Sequence, residues 1–75
     1  MDSTIPLSFE SPESSSILSA SYDPDTRLLT VVLKTGTYTY EGFPEAKWED
    51  FVEAESKGKY FAHYIRPLFY GTKKS

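Results

Sequence analysis

Apolar and polar positions alternate most clearly between Leu28 and Tyr40, where two β-rich runs flank Thr35-Gly36 and the second ends in Tyr-x-Tyr. The run Leu28 to Leu33 is branched and apolar without Gly or Pro, the composition of a central strand. A two-residue turn at Thr35-Gly36 would set Lys34 opposite Thr37, Leu33 opposite Tyr38 and Val31 opposite Tyr40. Side chains alternate between faces, so Leu29, Val31, Leu33, Tyr38 and Tyr40 share one face of this hairpin. Upstream, Ile17 to Tyr22 reads as the first strand, and Asp23-Pro24-Asp25-Thr26 supplies turn chemistry. Closing that turn sets Tyr22 opposite Arg27, Ala20 opposite Leu29 and Leu18 opposite Val31, which adds Leu18 and Ala20 to the same face.

After the sheet the period changes. Gly42-Phe43-Pro44 ends the strands, and Pro44 with Glu45 suits the first turn of a helix. Trp48, Phe51 and Val52 form one apolar stripe at helical spacing, with Glu49, Asp50, Glu53 and Glu55 on the water side. Gly58 is placed to stop that helix as its C′ residue, with Lys57 in the last turn. A second short helix spans about Lys59 to Arg66. Phe61 and Ile65 face inward and Tyr60 and Tyr64 share a flank, and Pro67 ends it. Leu68-Phe69-Tyr70 must pack back onto the body. The expected fold is therefore α+β: a three-stranded antiparallel meander followed by two short helices packed on one face.

The ends carry weaker patterns. Residues 1–14 are rich in Ser, Thr and Pro and read as a flexible leader. Ile5, Leu7 and Phe9 alternate with Pro6 and Ser8, the alternative being a strand along the sheet edge, where Pro6 is tolerated. Residues 15–70 form the single domain, and 71–75 are expected to fray.

Size and composition narrow the chemistry. A 75-residue chain buries only roughly 60–65% of its unfolded surface. Without cysteine no disulfide braces it, and twelve Phe, Tyr and Trp residues must supply the core. No apolar run reaches the roughly 20 residues of a membrane span, and no basic-then-apolar start marks a signal peptide, so a cytoplasmic location is expected. The net charge of −3 hides a division. Residues 1–56 hold all eleven acids and three bases, net −8, whereas 57–75 hold five bases and no acid. A basic end on an acidic body suits an anionic partner, or mutual attraction of the two ends within the fold.

The order of signals resembles the KTSC domain family, named for its occurrence at the C-terminus of some lysyl-tRNA synthetases. The resemblance rests on Ser15, Ser16, Ile17, Tyr22-Asp23, Leu29-x-Val31, Gly36 and Tyr38-x-Tyr40. It continues through Pro44, Ser56-Lys57-Gly58, Tyr60-Phe61 and Ile65-Arg66, so it spans nearly the whole domain. This chain departs from the pattern at Ala62, where the family usually has Asn, and at Pro67, where a residue other than proline is typical. The resemblance implies a small binding domain, for which RNA has been proposed as ligand from the synthetase context.

Enzymatic signatures are absent from the sequence. The four glycines are isolated, no His or Cys cluster has metal spacing, and no G-x-S-x-G surrounds a serine, so neither a cofactor nor a metal site nor catalysis is expected. His63, the only histidine, could exchange protons with Tyr60 or Tyr64, or be structural. Nucleic-acid binding needs cations for phosphates and flat rings for bases. Lys57, Lys59, Tyr60, His63, Tyr64, Arg66 and Tyr70 make up such a set. Tyr38 and Tyr40 are ring platforms in one reading and core residues in the other, and the register argument favours the core. Arg66 has an alternative as an ion-pair partner of Glu49, Glu53 or Asp23. The expected function is thus non-catalytic RNA binding through the C-terminal surface. The alternative is a protein–protein module, an inhibitor or adaptor of phage or plasmid type, using the acidic face of Glu45, Glu49, Asp50 and Glu53.

Overall fold

A computed structural model of the chain describes residues 6–11, 17–69 and 71–73. Expectations that touched Ile5, Ser15, Ser16, Tyr70 and Lys74 lie outside the described residues. The predicted meander is present as β2 (Ile17–Asp23), β3 (Leu28–Leu33) and β4 (Gly36–Tyr40). It is extended at both edges, by β1 (Ser8–Glu10) beside β2 and by β5 (Thr72–Lys73) beside β4, giving a five-stranded antiparallel sheet in chain order. Part of the expected leader is thus the sheet-edge strand of the alternative reading, and part of the expected frayed tail is paired.

The docked leader has a physical cause. Phe9 stacks on Trp48 with ring centroids 5.5 Å apart and meets Phe51 edge-on at 5.0 Å. The Trp48 indole N–H, which needs an acceptor when buried, donates to the Pro6 carbonyl at 3.0 Å.

Both hairpins turn elsewhere than expected. Asp23 pairs with Leu28, Tyr22 with Leu29 and Ala20 with Val31. Arg27, at φ 58, takes the left-handed position that closes the loop, so pairing starts one residue later. Lys34-Thr35 forms the second turn, with Leu33 opposite Gly36, Val31 opposite Tyr38 and Leu29 opposite Tyr40. Gly36 has φ 147, a value open to glycine. Each register differs from the expected one by two places. A shift of two preserves the side-chain face, so the predicted core face survives.

Leu18 is the exception. The register slips between Ile17 and Ser19, making Leu18 the extra residue of a bulge. It is 41% exposed while Ile17 is buried. The opposite face of the sheet carries hydroxyls in one row across all five strands: Ser8, Ser21, Thr30, Thr39 and Thr72.

Helix α1 (Glu45–Glu53) begins after Pro44 and buries Trp48 and Phe51. The chain then leaves helical geometry at Ala54, and Ser56 caps α2 (Lys57–Tyr60) by accepting from the Lys59 amide at 3.3 Å. Gly58 therefore lies inside α2 and does not stop α1. The serine cap, which satisfies an orphan amide, sets the boundary instead. α2 continues as a π-helical turn over Phe61–Ile65, marked by the Arg66 amide donating to the Phe61 carbonyl at 2.9 Å. Phe61 and Ile65 are buried as predicted. Trp48, Phe43, Phe51, Ile17, Leu29, Ile65 and Val31 are the largest fully buried side chains, and no buried polar side-chain atom lacks a partner among the described residues.

Candidate functional site

The sequence-predicted binding residues fall into two groups on either flank of α2. The first is a series of rings running from core to solvent. Tyr60 stacks on Phe51 at 5.4 Å, Tyr64 lies 4.9 Å from Tyr60, and His63 lies 6.4 Å from Tyr64. The Tyr60 hydroxyl donates to the Lys47 carbonyl at 3.4 Å, which ties the series to α1. Burial pushes the Tyr60 phenol pKa up, and the Asp50 charge adds to this. Tyr64 is 50% exposed, and His63 and Lys59 are exposed beside it.

Lys57 does not join this surface. Its ammonium donates to the Ala54 carbonyl at 2.6 Å and sits 5.4 Å above the Phe9 ring. It is a brace between β1 and the helix junction, with the character of a cation–π contact. Tyr70 lies outside the described residues.

The second group forms a cleft of about 340 Å³ between the sheet and the end of α2, lined by Leu33, Thr35, Tyr38, Tyr40, Phe61 and Arg66. Tyr40 is buried with its ring edge-on to Phe61 at 5.9 Å, and Tyr38 is half-buried against the core. The rings of the Tyr-x-Tyr pair thus pack on the core face, as the register argument favours, and also line a cleft. Burial raises the Tyr40 pKa, and the nearby Arg66 guanidinium partly offsets it. Arg66 is exposed and lines the cleft together with Tyr40.

Leu33, Thr35 and Phe61 were not among the predicted site residues. They were legible only as turn and core positions, because a cleft depends on where the helix end meets the sheet. The terminal strand runs along the β4 edge next to the cleft-lining Tyr38. Lys73 is the cross-strand partner of Tyr38, so its side chain leaves the sheet on the Tyr38 face. Among the described residues no group of three or more His, Cys, Asp and Glu side chains converges as metal ligands would.

The KTSC domain family model matches residues 13–70. An uncharacterised protein of Stutzerimonas stutzeri is 36% identical over 59 residues, covering 77% of this chain and 83% of that protein. A protein of Tsukamurella paurometabola is 36% identical over 58 residues, covering 76% and 87%. The crystal structure of a KTSC domain protein from Yersinia pestis superposes with a TM-score of 0.79 at 43% identity, covering 83% of this chain and 89% of that one.

Proposed function

The chain belongs to the KTSC domain family, and from that premise we propose that it is a non-catalytic binding domain that holds single-stranded RNA on the basic, aromatic surface of its C-terminal third. The observation that carries the reading is Tyr64. Its ring is half exposed and supported from beneath by Tyr60, within a segment of five cations and no acid. A supported ring loses little freedom when a base stacks on it, and such stacking is worth about 1–3 kcal/mol per base. Lys59 and Arg66, both exposed, would supply cations for phosphates, Arg66 from the cleft on the other flank of α2. No helix of the described residues is long and apolar enough to cross a membrane, and the reading puts the domain in the cytoplasm.

Fluorescence anisotropy with a labelled ten-nucleotide RNA tests this. With two phosphates neutralised, log affinity should fall with log salt at a slope of about −1.4. The double variant Lys59→Ala/Arg66→Ala should lose binding, while charge reversal at Glu49 and Glu53 should leave it intact. Salt-independent binding, or no loss in the double variant, contradicts the proposal. The second reading, a protein-binding module, draws on the exposure of Glu45, Glu49, Asp50 and Glu53 along α1. It predicts the reverse: the Glu49 and Glu53 reversals would abolish capture of a basic partner and the Lys59/Arg66 pair would be silent.

A further inference from the structure

Resting on the RNA reading and deepening it at the cleft that shares Arg66 with that surface, we propose that the cleft beside Tyr38, Tyr40 and Arg66 takes a terminal nucleotide bearing a phosphate monoester, and that the C-terminal strand β5 supplies the second cation. Three observations converge. The cleft, about 340 Å³, is near the lower end of the roughly 300–1,000 Å³ typical of small-molecule pockets. Its walls are flat or apolar (Leu33, Tyr38, Phe61), and Arg66 and the Thr35 hydroxyl are its polar groups besides the phenols. That is the chemistry of a ring joined to an anion.

The second observation is the register that puts Lys73 opposite Tyr38. Arg66 at the end of α2 lines the cleft, and Lys73 leaves β5 on the face of Tyr38, so a cation stands on each of these two elements. An internal phosphodiester carries one negative charge, whereas a terminal monoester carries about 1.5 to 2 at pH 7. A paired Arg and Lys therefore discriminates in favour of an end.

The third observation is how β5 is seated. Gly71 lies directly on the Tyr40 ring. A Cβ built there would stand 2.5 Å from Tyr40 Cε2 and 2.6 Å from Cζ, closer than such atoms approach. Glycine at this position lets the backbone cross the phenol and enter the β4 edge two residues before Lys73. Gly71 is thus a positioning residue for Lys73, and Tyr40 serves both as cleft wall and as the platform on which the strand rests.

The experiment compares ten-nucleotide RNAs with a 5′-phosphate, a 3′-phosphate or neither, and adenosine 5′-monophosphate against adenosine, using anisotropy and NMR shifts of the Tyr38 and Tyr40 rings. One phosphorylated end should bind about tenfold tighter than the hydroxyl end, the worth of one charge-assisted contact. Lys73→Ala and Arg66→Ala, both at exposed positions, should remove that preference. Gly71→Ala should remove it too, although Lys73 is retained. Lys59→Ala should weaken all three RNAs alike and leave the preference in place. Equal binding of all RNAs overturns the cleft proposal while the RNA reading stands. Shifts of Tyr38 and Tyr40 with the monophosphate but not with adenosine, in a protein that binds no oligonucleotide, support the cleft and refute the RNA reading. A phosphate preference that survives both Lys73→Ala and Gly71→Ala removes β5 from the site.

Discussion

Arg27 holds a left-handed backbone at φ 58, a conformation costing a non-glycine residue roughly 1–2 kcal/mol. Arg27→Gly should therefore stabilise the fold by about 0.5–1 kcal/mol, the gain trimmed by glycine's greater freedom when unfolded. Urea denaturation measures it, and an unchanged midpoint contradicts the argument. Tyr22 makes the opposite case. Its hydroxyl donates to the Phe43 carbonyl within the core, so Tyr22→Phe leaves a buried acceptor unpaired and should cost about 1–3 kcal/mol. At this scale the sequence was informative where helical spacing governed. Trp48, Phe51, Phe61 and Ile65 were placed correctly in the core. It was silent on Phe43, which is buried because its amide bonds to the Arg27 carbonyl across the sheet end and its ring meets Phe69. No local pattern encodes a contact between residues so far apart in the chain.

Among the elements, the edge strands were hardest to read and are easiest to test. β1 has three residues, too few for backbone pairing alone to hold it. What holds it is Phe9, between Trp48, Phe51 and the Lys57 ammonium, together with the indole donating to Pro6. Phe9→Ala should cost about 2–4 kcal/mol, less than full truncation of a buried ring because Phe9 is only half-buried. Amide exchange at Ser8–Glu10 should rise selectively while β3 stays protected, and uniform loss across the sheet would contradict a separable edge. The alternation of Leu7 and Phe9 with their neighbours carried the signal for this strand, but its anchors, Trp48 and Phe51, lie about forty residues away. The central hairpins show why faces are easier to read than registers. A turn displaced by one residue at each side shifts pairing by two places and leaves every side chain on its expected face, whereas the Leu18 bulge, a shift of one, does not. Gly58 was misleading for a related reason: the serine cap at Ser56 restarts a helix just where glycine normally ends one.

The sheet and the helices meet on one aromatic core, and among the described residues three tyrosines have phenols held above their usual pKa near 10. They come from β2, β4 and α2, so their titration is a property of the assembled core. Burial is the leading cause in each, reinforced by Glu45 at Tyr22 and Asp50 at Tyr60 and opposed by Arg66 at Tyr40. An acid with a raised folded-state pKa stays protonated in the native protein after the unfolded chain has begun to ionise. The unfolded state then binds fewer protons, so the slope of stability with pH is negative in that interval and flat below it. With respect to these groups stability should hold between about pH 7 and 9, then fall as pH rises past about 10 toward the folded-state values. Tyrosinate absorbance from Tyr22, Tyr40 and Tyr60 should rise together with the loss of secondary structure. Tyr40→Phe removes one ionising group while keeping the Phe61 contact and the seat for Gly71, so it should shift alkaline unfolding to higher pH. A variant that unfolds at the same pH as the parent would mean that Tyr40 does not hold its proton in the core, and the wall shared by cleft, core and terminal strand would have to be drawn elsewhere.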